Sequence, residues 1–227
     1  MYLRSIFAEL DIPTLRQFIR DNPLGVLITA LQPNTFPAIQ CTHMPWVLDV
    51  TDEDSSTEPG TLRSHFAKFN PHCKAIIEDI QTRSPSNGSL EQEVCVLFNG
   101  PIDSYVTPKF YVETKPTTGK VVPTWNYSAV QAYGKATFYF DVKNPDTVSF
   151  LQKQVEDLTK HGEEIIMGFT GGENQEAWKV TDAPSIFIER LMKKITGIEI
   201  KIDHLEGKFK MNQEVAKGDR EGVVQGF

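Results

Sequence analysis

The apolar positions follow two periods, and these divide the chain into short strands with helices between them. After Asp11, whose side chain suits a helix cap, Ile12, Leu15, Phe18 and Ile19 recur at helical spacing until Asn22-Pro23 stops the run. GVLITAL (25–31) and AIQCTHMPWVLDV (38–50) flank the Pro/Asn segment LQPNTFP and read as a two-stranded hairpin. TLRSHFAKF (61–69) reads as a strand. Asn70-Pro71 then places a cap and a proline at a helix start, and Cys73, Ile76, Ile77 and Ile80 predict a helix over 71–81. SPSNGS (84–89) is a turn-rich linker, and EVCVLF (93–98) is a strand closed by Asn99-Gly100-Pro101, with IDSYVTP (102–108) as its continuation.

From Lys109 to Pro123 the chain is polar and without period, a long loop of the kind that serves function. AVQAYGKATFYFD (129–141) resumes strand character. Asn144-Pro145 repeats the cap-and-proline device, with Val148, Leu151, Val155 and Leu158 carrying a helix to His161; FTGGENQ is a glycine-rich turn. Asp182 is read as the cap of a helix whose face holds Phe187, Ile188, Leu191, Met192 and Ile195 and which Gly197 ends. Ile198, Ile200 and Ile202 then alternate as in a half-buried strand, and the charged tail from Lys208 to Phe227 carries a helix around Asn212–Arg220. No repeat or composition shift divides the chain, so residues 1–227 are expected to form one domain. About seven strands with helices between and outside them predict an antiparallel, barrel-like sheet, mainly β within the α+β class.

At 227 residues and 40% apolar composition the chain can bury a substantial core, which excludes disorder as a bulk description. The 23 basic and 30 acidic residues leave a net charge of −7, and Asp49, Asp52, Glu53, Asp54 and Glu58 account for five of the seven surplus charges. The acidity therefore reads as one solvated loop. No basic footprint for nucleic acid is present, which makes direct DNA binding doubtful. Cys41, Cys73 and Cys95 match no metal or redox spacing and suggest a reducing compartment. The longest clean apolar run, Gly25 to Leu31, falls far short of the roughly 20 residues of a membrane span, so a soluble, cytoplasmic protein is expected, with no membrane partner.

Four constellations carry candidate chemistry. Arg63, Ser64 and His65 with Lys68 and Asn70 combine cation, hydroxyl, imidazole and amide in a way that can hold a phosphate; a solvated edge strand before a capped helix is the plainer alternative. Lys120 to Tyr127 brings Thr124, Trp125, Asn126 and Tyr127 together around a proline-fixed turn, suited to a flat heteroaromatic ligand or, equally, to an aromatic anchor buried in the core. Tyr105 and Thr107 sit in a similar aromatic and polar mix that also fits a simple strand end. Lys208 and Lys210, with Gln213, share one face if extended, either as a solvated face or as the closure of an anion site. Walker, dinucleotide-binding and nucleophile-elbow signatures are absent, and the five histidines form no zinc spacing. His43 reads as a core histidine, with cofactor contact or haem ligation as alternatives. Cys95, between Val94 and Val96, reads as an inert thiol.

GTLRSHFAKFNP (60–71), EVCVLFNGPIDSYVTPKFY (93–111), GKVVPTWNY (119–127), GIEIKI (197–202) and EGKFKMNQ (206–213), with MYLRSIFAE at the start and HMP at 43–45, closely resemble the PaiB family, the FMN-binding negative transcriptional regulators. The resemblance implies the FMN-binding split β-barrel of pyridoxamine-phosphate-oxidase-like flavoproteins with peripheral helices, a homodimer with FMN at the subunit interface. It also implies that Arg63, Ser64, His65, Lys68 and Asn70 hold the FMN phosphate and ribityl chain. Thr124, Trp125, Asn126 and Tyr127 would flank the flavin from the partner subunit, and Tyr105, Thr107, Lys208, Lys210 and Gln213 would complete the pocket. The sequence departs from the family pattern at Ser64, where many members have glycine, at Val106-Thr107 and at Glu214; the acidic 51–59 segment reads as an insertion.

Flavin-linked regulation is the leading functional expectation. The alternatives are a small FMN-dependent oxidoreductase using NAD(P)H, and a haem-binding or haem-degrading split barrel with His43 or His65 as ligand.

Overall fold

The computed structural model describes residues 1–33, 35–83 and 88–227. Most of the 84–89 linker predicted from sequence lies outside the described residues. The strands are β1 (Ala8–Glu9), β2 (Leu24–Ala30), β3 (Ile39–Pro45), β4 (Val47–Asp49), β5 (Thr61–Ala67), β6 (Val94–Asn99), β7 (Ser104–Val106), β8 (Thr124–Tyr139) and β9 (Ile195–Lys210). The helices are α1 (Ile12–Asp21), α2 (Pro71–Arg83), α3 (Thr114–Thr118), α4 (Pro145–Lys160), α5 (Ser185–Met192) and α6 (Lys217–Gly226).

The sheet runs β3-β2-β6-β8-β9-β5-β4, with β1 on β9 and β7 on β8, and every pairing is antiparallel. Its closure comes from the run predicted as the hairpin's second strand. Only Trp46 separates β3 from β4, so one extended segment begins as the neighbour of β2 and ends as the neighbour of β5. The open sheet thereby curls into a barrel, with Trp46 buried at the bend and Ser64 Oγ donating to the Pro45 carbonyl at 2.6 Å. Inside lie Leu27, Val96, Phe98, Val130, Ile198 and Ile200, the inward set that period-two alternation marks in each strand.

Asp11 caps α1 as predicted, accepting from Thr14 N at 3.0 Å, and Asn144 caps α4 through Asp146 N. Several boundaries differ from the sequence reading. Trp125 and its neighbours are not a turn: β7 pairs with residues 124–126 and carries them into β8, and β7 is a separate strand rather than a continuation of β6. The 109–123 segment begins within a 3₁₀ turn at Pro108–Phe110 and contains the short α3. Asp182 closes a 3₁₀ turn over Val180–Asp182 and does not cap α5; Ile195 and Thr196 leave the predicted helix to pair with Ala67 and Phe66. The predicted helix cannot run through Asn212, which takes a left-handed φ of 58°, and the last helix starts only at Lys217, after Ala216 with a non-helical ψ of 156°. The acidic 51–59 segment is also more than a solvated loop. It wraps around Arg16, 1% exposed, whose guanidinium donates to the carbonyls of Asp52, Glu53, Ser55 and Glu58.

β8 and β9 form a ribbon of two 16-residue strands with one irregularity, where Tyr133 pairs with His204 and Gly134 with Ile202, leaving Asp203 without an opposite residue. A Cβ at Gly134 would lie 2.0 Å from the Lys201 carbonyl oxygen, so this close approach requires glycine.

Candidate functional site

The residues singled out in the sequence fall into two groups at opposite ends of the β8–β9 ribbon. β5 meets β9 where Gly197 also pairs with Tyr139, whereas Tyr127 pairs with Lys210 twelve residues away along β8, a strand path of about 40 Å. One chain therefore does not bring the two groups together.

At the β5 end, Arg63 is 3% exposed and its donors are engaged within the chain. Its Nε and Nη2 hold Asp49, Nη2 also reaches Asp157 Oδ2 at 2.6 Å, and Nη1 reaches Gln154 Oε1 at 3.1 Å. Burial alone would lower the guanidinium pKa, and the hydrogen bonds it donates to Asp49 and Asp157 reverse that and raise it. Arg63 is thus the buried centre of an ion-pair network joining β4, β5 and α4, rather than a free phosphate donor. Ser64 is fully buried and bonded to Pro45, which withdraws its hydroxyl as well. His65 lines an apolar cavity beneath α5. Lys68 Nζ donates to the Phe140 carbonyl at 3.1 Å, and Asn70 Oδ1 caps α2 by accepting from His72 N at 2.9 Å.

His72, which the sequence reading passed over, is the buried histidine of this region. It bridges Thr29 Oγ1 at 2.8 Å and Thr42 Oγ1 at 2.9 Å, and burial pushes its pKa down to about 4. His43, expected in the core, is exposed on β3.

At the other end the grouping is closer to that predicted. Cross-strand partners share a face, so Tyr105, Trp125, Tyr127, Lys208 and Lys210 lie together on the outer side of the sheet. Trp125 is 55% and Tyr105 49% exposed, with ring centroids 5.9 Å apart, which excludes the buried-anchor alternative. Lys208 lies over the rings of Tyr2 and Tyr127. Lys210 Nζ donates to Thr124 Oγ1 and, at 2.7 Å, to the Trp125 carbonyl. Beside them a cleft of about 540 Å³ opens between Trp125, Tyr127, Ser128 and the Asn99-Gly100 turn. On the opposite face of β8 from Trp125 and Tyr127, Asn126 Oδ1 is buried without a hydrogen-bond partner among the described residues. Thr107 caps its 3₁₀ turn through Lys109 N at 3.3 Å, and Gln213 ties the chain end to the Ile6 and Phe209 carbonyls. Asn99 and Gly100 were read only as a turn; their place beside the aromatic rings follows from the β6–β8 pairing, which no local pattern reveals.

The segment past Thr107 is held from the carboxyl end. Asp219 accepts from Glu113 N at 2.8 Å and Thr114 N at 3.1 Å, and Asn212 Nδ2 donates to Tyr111 Oη at 3.1 Å. Among the described residues no helix is long and apolar enough to cross a membrane.

A curled antiparallel sheet closed by a shared strand, with helices outside it, defines a split-barrel protein. The chain belongs to the family described as "Putative FMN-binding domain", whose model matches residues 1–204. Proteins of Aspergillus fumigatus and Emericella nidulans are each 54% identical, covering 100% of this chain and 90% of their own. The protease synthase and sporulation protein PAI 2 of Bacillus subtilis is 23% identical over 99% of this chain and 88% of its own, in agreement with the PaiB motifs. The flavocytochrome Anf3 of Azotobacter vinelandii shares the fold with a TM-score of 0.54 at 10% identity, covering 97% of this chain and 78% of that one. The FAD and heme binding protein of Mycobacterium smegmatis does so at 0.52 and 11%, covering 97% and 80%.

Proposed function

We propose that the protein is an FMN-binding flavoprotein whose site forms between two copies of the chain. The observation that carries this reading is the outward cluster of Tyr105, Trp125, Tyr127, Lys208 and Lys210. It offers exposed aromatic faces to a planar ring system and two ammonium groups to an anion. The cluster is open on one side, and Lys68 and Asn70 lie about 40 Å of strand away, which favours a two-fold partner supplying them. Arg63, Ser64 and His65 are left out of this assignment because the first two are committed inside the chain and the third turns beneath α5. Bound FMN supplies reversible hydride and electron transfer; the protein's part is to orient the ring and balance its charge.

Titration of the apo protein with FMN tests the reading. Quenching of flavin fluorescence that saturates at one FMN per chain is expected, weakened at least tenfold in Trp125→Ala. A protein that takes up no FMN removes the proposal.

The likeness to PAI 2 favours a regulatory use of the flavin. The net charge of −7 opposes direct contact with DNA, so a redox-sensing, indirect route is the form proposed. FMN-dependent NADH or NADPH oxidation would instead make it an oxidoreductase. Haem binding has one structural observation in its favour, the exposed imidazole of His43 on β3, and a Soret band lost in His43→Ala would establish it. Three free cysteines suit a reducing, cytoplasmic setting.

A further inference from the structure

Helix α5 is under-packed in a particular way. It holds Ile186, Phe187, Ile188, Leu191 and Met192, yet none of its residues is buried, and Ile186, Phe187 and Leu191 are 63%, 55% and 41% exposed. Cavities lie on two sides of it. One, of about 170 Å³, opens toward Val148 and Leu151; the other, about 390 Å³, lies between α5, α4 and the outer face of β5. The larger is within the range of small-molecule sites. Its walls are apolar, with Val155 and Leu158 from α4, Trp178, and Leu191 and Met192 from the helix above. Its polar members are Thr159, Lys194 and His65, and among the described residues no carboxylate lines it although the whole chain is acidic.

His65 gives the cavity its chemistry. The imidazole Nδ1 is buried and has no hydrogen-bond partner among the described residues. Burial lowers the ring's pKa, so at neutral pH it is an uncharged group with an unmet hydrogen bond. A buried polar atom without a partner costs stability, which a ligand bearing the complementary group recovers. Lys194, exposed where α5 ends, sets a positive charge among the lining residues.

We infer that the cavity beneath α5 is a binding site, separate from the flavin cluster, for a small organic anion with an apolar body such as an aryl carboxylate. Its body packs on Leu158, Trp178 and Leu191, a polar atom of its head group bonds His65, and its charge is balanced by Lys194. Helix α5 closes over it, gaining the burial it lacks in the free chain, so binding and ordering of the helix are coupled.

The probe is 2-naphthoate, titrated by calorimetry into flavin-free protein, so the outcome does not depend on whether FMN binds elsewhere. Saturable binding at one per chain is expected, with the neutral isostere 2-naphthamide at least fivefold weaker. Lys194→Ala should narrow that preference, and His65→Phe should weaken both ligands. Leu158→Trp and Ala67→Met fill the cavity from opposite walls and should each abolish binding; Ala67 is exposed, so its variant keeps the test valid if the first fails to fold. Absence of saturation to about 5 mM, a range that includes weak fragment binding, would overturn the inference. So would undiminished binding in the folded cavity-filled variants, competition by FMN for the same site, or binding only to dissociated single chains, which would show that a second copy covers α5.

Discussion

The His72 bridge makes a prediction with a defined pH window. The ring is 1% exposed, joins β2 to β3 through Thr29 and Thr42, and has its pKa pushed from 6.5 to about 4 by burial. The unfolded chain therefore binds a proton at this residue that the folded chain refuses between those values, and stability falls as the pH drops through the window. The contribution is complete above pH 6.5. At pH 5 the loss is about 2 kcal/mol and over the whole window about 3 kcal/mol, from 1.36 kcal/mol per pH unit. Urea unfolding at half-unit steps from pH 7.5 to 4.5 measures it, with His72→Gln as the comparison that keeps a polar side chain and removes the titration. The wild-type curve should lose up to one more proton's worth of slope than the variant below pH 6.5. Parallel curves, or a His72 resonance titrating near 6.5 in the folded protein, would refute the reasoning.

The remaining predictions concern groups whose partners are far away in sequence. Arg16→Ala removes the four-carbonyl anchor of the acidic segment and should cost roughly 2–4 kcal/mol, with new protease cleavage confined to residues 51–59. Asp157→Ala leaves the buried Arg63 with one carboxylate and should cost about 1–3 kcal/mol in thermal unfolding, reduced from a fully buried pair because Asp157 is partly exposed. Burial raises the Asp157 pKa, but hydrogen bonds from Lys153 and Arg63 outweigh it and hold the carboxyl below its ordinary value. Its stabilisation is present above the unfolded carboxylate pKa and disappears as the pH falls through the lowered one; the variant should lack that acid-limb slope. Asp219→Ala should cost about 1–2 kcal/mol and accelerate hydrogen exchange at Glu113 and Thr114 while leaving β8 protected.

Elements governed by local rules were legible in the sequence. Asp11 and Asn144 announce their helices because a cap is a contact within three residues, and Ile198, Ile200 and Ile202 show their strand because alternation is local. Trp125 was misplaced because Pro123 resembles a turn, and only the distant Tyr105 pairs the following residues into a strand. The candidate site was legible by residue type at the β7–β8–β9 end, where aromatics and lysines are concentrated. At the β5 end, residue type misled. Arg63 looks like an anion holder until Asp49 and Asp157, 14 and 94 residues away, occupy its donors, and nothing near Arg63 indicates them. The cavity above His65 was invisible for the same reason, although the excess of apolar residues in 186–192 over what one helix face can bury was already a signal.

The unpaired Asp203 decides which way the end of the last strand faces. Before it the even-numbered residues Ile198, Ile200 and Ile202 point inward; after it the odd-numbered Leu205, Gly207 and Phe209 do, which sends Lys208 and Lys210 out beside Trp125 and Tyr127. A chain shortened by that single residue would keep every side chain of the cluster and lose the cluster, with two lysines driven into the core and Leu205 and Phe209 set in water. Length here is as stringent a requirement as residue identity. A variant of this protein with a one-residue insertion or deletion between Ile202 and Leu205 can retain the outward lysines only if a second, compensating change follows before Lys208.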